Sequence, residues 1–393
     1  CGAMQEDYGF ASMLQQELLE KGAEDVLCNT RTVQELQLVV AMAMRRRTVR
    51  LDAMSRYREC LLSEVEQRIA DTLQVVEEGK GTGLFWQSVD RLFKHFPAMD
   101  LSLPKELVPG TQIGPCTLDL SIGQGSFGKV YGALSESGSR EAIKVIPKAT
   151  VKKSGDASIL YREMYLHSRL EHQHIVRFLG AMHGPMHVFI RMEEASQTTL
   201  FKMMRSGSLA VAHAKRFQAE LSDAVSYCHA QGVAHRDLKP ENIALEASGT
   251  NIKVLDFGCS IQAGSSRSDV VGSFPFMAPE ILIASAEAPY IAAPVDIWAC
   301  AVILIEMLFG VHHFTRVLGW DRATQPGPQR HAELLDYFGD VSAVQKLIEP
   351  RFGDEETRDL EDMLRGMFRI MPSRRWSARR MSESSWLHTA SRS

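Results

Sequence analysis

The stretch Gly123-Gln124-Gly125-Ser126-Phe127-Gly128 restricts the fold of this chain more than any other. Apolar alternation runs into it at Leu118, Leu120 and Ile122, and Val130-Tyr131 leads out of it. Alternation on both sides reads as a strand, a turn and a returning strand. Glycine has no Cβ, so such a turn exposes backbone N–H groups and lets the phosphate oxygens of a ligand approach closely. A tight hairpin without a ligand is the other reading, and the loop alone leaves both open. A dinucleotide-binding turn is excluded, because that turn opens a helix.

Downstream, polar residues recur in an order that a purely structural sheet does not need. In residues 141–145 the period of two puts Ile143 and Val145 on one face and Ala142, Lys144 and Ile146 on the other. Lys144 therefore sits among apolar neighbours, and Glu163 follows in a helical pattern over residues 158–170. Then come His235-Arg236-Asp237-Leu238-Lys239-Pro240-Glu241-Asn242, Asp256-Phe257-Gly258 and Ala278-Pro279-Glu280. Asp237, Asn242 and Asp256 carry hard oxygen atoms of the kind that hold a divalent cation. For Asp237 the structural alternative is a capping residue in a turn.

In this order and spacing the motifs resemble the catalytic domain of the eukaryotic protein kinases, from about residue 113 to residue 387. The resemblance implies an α+β, two-lobed protein kinase fold with a small β-rich N-lobe and a large helical C-lobe; apolar periodicity before it adds an α-helical N-terminal segment. It implies ATP and Mg²⁺ as cofactors, with Gly123, Gln124, Gly125, Ser126, Phe127 and Gly128 covering the phosphates. Val130, Ala142, Met192, Glu193 and Ala195 line the nucleotide site, Met192 guarding its back unless it is an ordinary core methionine. Lys144, oriented by Glu163, holds the α- and β-phosphates; Asn242 and Asp256 hold the metal. Asp237 is the catalytic base, and Lys239 lies near the transferred phosphate. The Lys-Pro-Glu-Asn wording is similar to serine/threonine kinases, so Ser or Thr of protein substrates is the expected acceptor. Glu280 and Arg375 resemble the buried ion pair of the large lobe, and Asp296 the residue that anchors the catalytic loop. The calcium/calmodulin-dependent and AMP-activated kinases are the most similar group. A pseudokinase scaffold is the alternative reading.

The same resemblance gives Arg236 a phosphate partner on the activation segment, residues 256–280. Ser265, Ser266 and Ser268 are candidates for phosphorylation there. Two regulatory readings stay open: Asp269 supplies a standing negative charge to Arg236, or phospho-Ser268 does the ordering. Thr199 stands where basophilic relatives carry a glutamate, so an arginine preference resting on Glu241 alone is expected to be blunted. Residues 311–330 depart from the family pattern on the substrate-docking side.

Three domains are expected: a helical segment at residues 1–80, a linker with a short amphipathic helix at 81–112, and the catalytic domain at 113–389. Residues 32–78 contain neither Gly nor Pro and repeat apolar positions in steps of three and four. They read as part of a helical hairpin or as a coiled coil, with self-association or partner binding through residues 1–80 as the consequence. Net charge of −4 with dispersed basic residues gives no nucleic-acid or membrane-binding field. The most apolar run, residues 297–309, is interrupted by Glu306 and too short to span a bilayer. The seven cysteines form no Cys-x-x-Cys pair, which fits a reducing, cytoplasmic location with the nucleus left open. No Asp-rich twelve-residue loop is present, so direct calcium control is not expected. The chain starts with Cys1, so a fragment or a processed form is expected.

Overall fold

The computed structural model describes residues 107–388 apart from 125–127, 152–153, 247–248, 322 and 349–353. The expected helical segment at residues 1–80, the linker up to residue 106, and Gly125, Ser126 and Phe127 lie outside the described residues. Six strands form an antiparallel sheet in the order β1-β2-β3-β4-β6-β5: β1 (Gln112–Ile113), β2 (Cys116–Gln124), β3 (Lys129–Ser135), β4 (Arg140–Pro147), β5 (Phe178–His183) and β6 (His187–Glu193). Leu118, Ala133, Ile143, Val145, Met182 and Phe189 pack together in one buried cluster. That leaves the Lys144 face for function, because neighbouring residues on a strand point to opposite faces. Helix α1 (Ser154–His167) packs beside the sheet and carries Glu163. It starts four residues before the sequence pattern and ends three before it, the chain tightening into turns up to Leu170.

The larger lobe is helical. Its elements are α2 (Leu200–Met204), α3 (Val211–Ala230), α4 (Ala293–Phe309), α5 (His313–Val317), α6 (Pro328–Gly339), α7 (Ala343–Leu347), α8 (Asp354–Met367), α9 (Ala378–Ser382) and α10 (Ser385–His388). Three short antiparallel pairs frame the loops between them. They are β7 (Val233–Ala234) with β10 (Ile261–Gln262), β8 (Ile243–Leu245) with β9 (Ile252–Val254), and β11 (Ser266–Arg267) with β12 (Tyr290–Ile291). Helix α4 is buried from Val295 to Phe309, which explains the most apolar run of the sequence: it is the central post of the lobe. Pro294 fits its first turn, where a backbone N–H has no helical acceptor, and Gly310 at φ +92° ends it in the left-handed region. Among the described residues no helix is long and apolar enough to cross a membrane.

Arg375 ties the loop before α9 to this post. Its Nη1 and Nη2 donate to Glu280 Oε1 and Oε2 at 2.7 and 2.9 Å, and Nη1 and Nε also reach the Pro294 and Arg369 carbonyls. The guanidinium also lies 5.3 Å from the Trp298 ring centroid. With the Arg375 side chain fully buried, removing one partner strands a charge out of water. Arg375→Met or Glu280→Gln is therefore expected to lower unfolding free energy by about 3–5 kcal/mol in chemical denaturation. A loss below about 1 kcal/mol would mean that the pair behaves as a solvated one.

Candidate active site

The register of the sheet assembles one wall of the site. Lys144 pairs with Val130 and Ile190, and Ala142 pairs with Gly132 and Met192, so Val130, Ala142, Lys144 and Met192 share a face. Gly123 and Gln124 pair with Val130 and Lys129 as the hairpin opens. At Gly128 a Cβ would come within 1.9 Å of the Val145 carbonyl oxygen, so only glycine allows this close approach of turn and strand. At the end of β6, the Glu193 carboxylate accepts from Lys253 Nζ at 2.9 Å and from the Arg177 N–H at 3.1 Å. The side chain is thereby committed to structure. Two residues on, the Ala195 N–H has no partner among the described residues.

Lys144 is the point where the lobes meet. Its Nζ donates to Glu163 Oε1 at 2.5 Å and lies 3.5 Å from Asp256 Oδ1. Burial pulls the Lys144 ammonium down, but Glu163 and Asp256 outweigh it and hold its pKa above the ordinary value. Burial pushes the Asp256 carboxyl up, yet the Lys144 ammonium keeps it below the usual carboxylate range. Both groups are therefore ionised at neutral pH.

The catalytic loop hangs from Asp296. Its Oδ2 accepts from the His235 N–H at 2.9 Å and from His229 Nε2 at 2.8 Å, and its Oδ1 accepts from the Arg236 N–H at 2.7 Å. These bonds hold Arg236 at φ +65°; Asp256, across the site, is at φ +56°. Left-handed backbone at non-glycine residues costs energy and survives only where surrounding contacts impose it. Asp237 Oδ2 accepts from Lys239 Nζ at 2.9 Å and Asn242 Nδ2 at 3.3 Å, while Lys239 also donates to Ser273 Oγ at 2.6 Å. Asp237 Oδ1 is buried without a partner. Asn242 Nδ2 also donates to the Asp237 carbonyl at 2.8 Å, so its Nδ2 is committed to the loop. An orphaned carboxylate oxygen, a free carboxamide oxygen and the ionised Asp256 fit a hard divalent cation with phosphate oxygens beside it.

Arg236 also reaches the activation segment. Its Nη1 donates to both oxygens of Asp269, at 3.2 and 3.0 Å, and to the Tyr290 hydroxyl at 3.0 Å. Arg267 Nε donates to Asp269 Oδ1 at 3.0 Å, and the Tyr290 hydroxyl donates to the Asp269 carbonyl at 3.1 Å. Burial pushes the Asp269 carboxyl up; Arg236 and Arg267 more than offset that and keep it below its ordinary range. The Ser268 side chain is exposed.

Sequence reasoning missed the column that joins α1 to this loop. His167 stacks on Phe257 at 4.8 Å between ring centroids, and Phe257 meets His235 at 5.0 Å. His235 Nε2 donates to the Leu255 carbonyl at 2.8 Å, and its Nδ1 accepts from the Asp237 N–H at 3.2 Å. That pair of bonds selects the neutral Nε2–H tautomer. Three histidines near this loop are committed to protein partners: His167 Nε2 donates to the Val176 carbonyl, His174 Nδ1 meets the Ile252 carbonyl, and His172 faces Asp223. Burial, with Asp237 and Asp256 nearby, pushes the Cys259 thiol up to about 11, opposite to what a reactive thiolate needs. Thr199 caps α2, its hydroxyl accepting from the Lys202 N–H at 3.3 Å.

A family model described as "Protein kinase domain" matches residues 117–387. The chain is 38% identical over 205 residues to CBL-interacting protein kinase 30 of Oryza sativa subsp. japonica, covering 50% of this chain and 42% of that protein. It is 38% identical over 204 residues to CBL-interacting serine/threonine-protein kinase 18 of Arabidopsis thaliana, covering 50% and 38%. With CBL-interacting serine/threonine-protein kinase 12 of Arabidopsis thaliana the identity is 37% over 219 residues, covering 54% and 44%. The chain thus spans about half the length of the relatives it matches.

The His167 column has a pH signature. Burial pushes this imidazole down to about 4, from an ordinary value of 6.5. Between those values the unfolded chain takes up a proton that the folded one refuses, so stability falls as pH drops from 6.5 toward 4 and levels off below. The interval corresponds to about 3 kcal/mol. His167→Gln, which keeps a donor for the Val176 carbonyl, is expected to flatten that part of a stability-versus-pH curve measured by urea denaturation. An unchanged slope would place the proton uptake elsewhere.

Proposed function

This chain belongs to the protein kinase domain family, and on that footing we propose that it is a serine/threonine protein kinase, transferring the γ-phosphate of Mg-ATP to Ser and Thr hydroxyls of protein substrates. One observation carries the proposal: an orphaned Asp237 oxygen stands among Asn242, Lys239 and the Asp256–Lys144–Glu163 chain of charges. A scaffold without catalysis has no use for a buried carboxylate oxygen left without a donor, since such an atom costs stability.

In this reading Val130, Ala142 and Met192 hold the adenine, with the backbone at Glu193 and Ala195 beside it, and the turn from Gly123 to Gly128 covers the phosphates. Lys144 anchors the α- and β-phosphates, and Glu163 fixes the direction of its ammonium. Asp256 and Asn242 hold the divalent cation. Bound Mg²⁺ neutralises charge that develops on the phosphate oxygens. Asp237 presents Oδ1 to the incoming hydroxyl and orients or accepts its proton, while Lys239 steadies Oδ2 and lies ready for the phosphate being transferred. The acceptor class follows from the Lys-Pro-Glu-Asn sequence after Asp237 and from relatives that are named serine/threonine kinases. The CBL interaction in those names is theirs; protein substrates are the partners proposed for this chain. Buried free thiols at Cys116, Cys228 and Cys300 support a reducing intracellular location.

We also infer that Asp269 takes the place of a phosphate opposite Arg236. Two arginines and a tyrosine hydroxyl already surround it, whereas Ser268 is exposed. One carboxylate charge is less than a phosphate's −1.5 to −2, roughly, and Arg267 shares it.

In a radiolabelled phosphate-transfer assay, Asp237→Asn should lower kcat by about 10²–10⁴ with little change in nucleotide affinity. Equal rates for wild type and variant would point to a contaminating kinase. Phosphatase-treated wild type should keep its activity, and Asp269→Ala should lose about ten-fold or more, the scale of a charge-assisted pair. An inactive dephosphorylated wild type would instead assign the ordering to a phosphoserine.

A further inference from the structure

A concavity of about 430 Å³ opens in the large lobe between the end of α6, the Asp340-Val341 turn, α7 and the turn after α8. It shares no residue with the active site. Phe338 and Phe368 form its floor, stacked at 4.8 Å and braced from behind by Trp298 of α4 at 5.2 and 5.0 Å. A floor locked this way has little freedom to collapse, so apolar side chains entering it meet a preformed surface. Three of the large apolar residues exposed among the described ones stand on its rim: Leu335 at 40%, Val341 at 81% and Met371 at 54%. Single exposed apolar residues need no explanation, but three around one hollow mark a contact surface.

Charge selects the occupant. Arg369 and Arg374, also lining the hollow, are exposed, and their guanidinium groups have no partner among the described residues. The other charged lining groups are satisfied: Arg365 donates to Glu361, and Asp340 accepts from Lys346 and Ser342. Free charge at the rim is therefore positive. A second copy of the chain docked through the same face by a twofold axis would set these arginines against their own counterparts. We propose that this groove docks an acidic amphipathic peptide segment of a partner protein, its apolar side chains against Phe338 and Phe368 and its carboxylates on Arg369 and Arg374.

A random-peptide display library selected on the full chain tests this, with fluorescence anisotropy of the enriched peptides on wild type, Val341→Asp and Arg369→Glu. Both positions are exposed, so the variants should fold, and phosphate transfer to a generic peptide should be unchanged in each. Peptides pairing spaced apolar residues with Asp or Glu should be enriched and should bind each variant about ten-fold or more weakly, because each substitution sets a new carboxylate against the peptide's own. The proposal is overturned if nothing groove-dependent is enriched, if the winning peptides are basic or uncharged, or if they bind the variants as well as wild type. It is equally overturned, in favour of another occupant, if Val341→Asp abolishes self-association in sedimentation. Displacement of the enriched peptides by synthetic peptides tiling residues 1–106 would likewise reassign the groove, to the chain's own segment.

Discussion

The carboxylate of Asp296, buried at the first turn of α4, is the constraint from which the site is hung. A buried charge is tolerated only when hydrogen bonds replace its water. Here His229 and the amides of His235 and Arg236 supply them, and together they keep the carboxyl below its ordinary pKa despite burial. The same bonds impose a left-handed turn at Arg236. That turn sends the guanidinium toward Asp269 and the Asp237 carboxylate toward Lys239 and Asn242. One interaction thus couples the rigid centre of the lobe to both the chemistry and its control.

The second coupling runs between the lobes. Lys144 belongs to the sheet, Glu163 to a separate helix and Asp256 to the loop beside the helical lobe, and the one ammonium meets both carboxylates, at 2.5 and 3.5 Å. The rings of His167, Phe257 and His235, the first pair stacked and the second tilted, accompany this charge chain and position the same loop by packing. A displacement of α1 would disturb both at once, the polar link and the apolar one. This is a physical reason for α1 to govern the site without touching substrate.

Helix α4 serves two surfaces. Asp296 faces the catalytic loop, while Trp298, two residues on, braces Arg375 and the floor of the groove. Because α4 is buried along its length, neither surface is free to shift independently of it. The docking groove and the active site stand on one support but use different residues, so specificity at the groove can change without altering the chemistry.

The β2–β3 hairpin, the inward face of Lys144, the buried run of α4 and the order of the kinase motifs were legible in the sequence, because each rests on local periodicity or on a contiguous motif. The two-residue strands β1, β7, β10, β11 and β12 were not, since two residues carry no period. Nor was the role of His167, whose ring partners lie 11 and 90 residues away in the chain. Asp269 was legible only as one of two candidate partners of Arg236, beside a phosphorylated Ser268, and the contacts of Arg236, Arg267 and Tyr290 with it belong to the tertiary structure, where β11 pairs with β12. The amino-acid order by itself determined which reactive groups the protein owns and on which face of each element they lie. Which of them share a proton, a charge or an apolar floor was decided by tertiary packing, because those energies depend on distance and on exclusion of water, and neither is written in the spacing of residues along the chain.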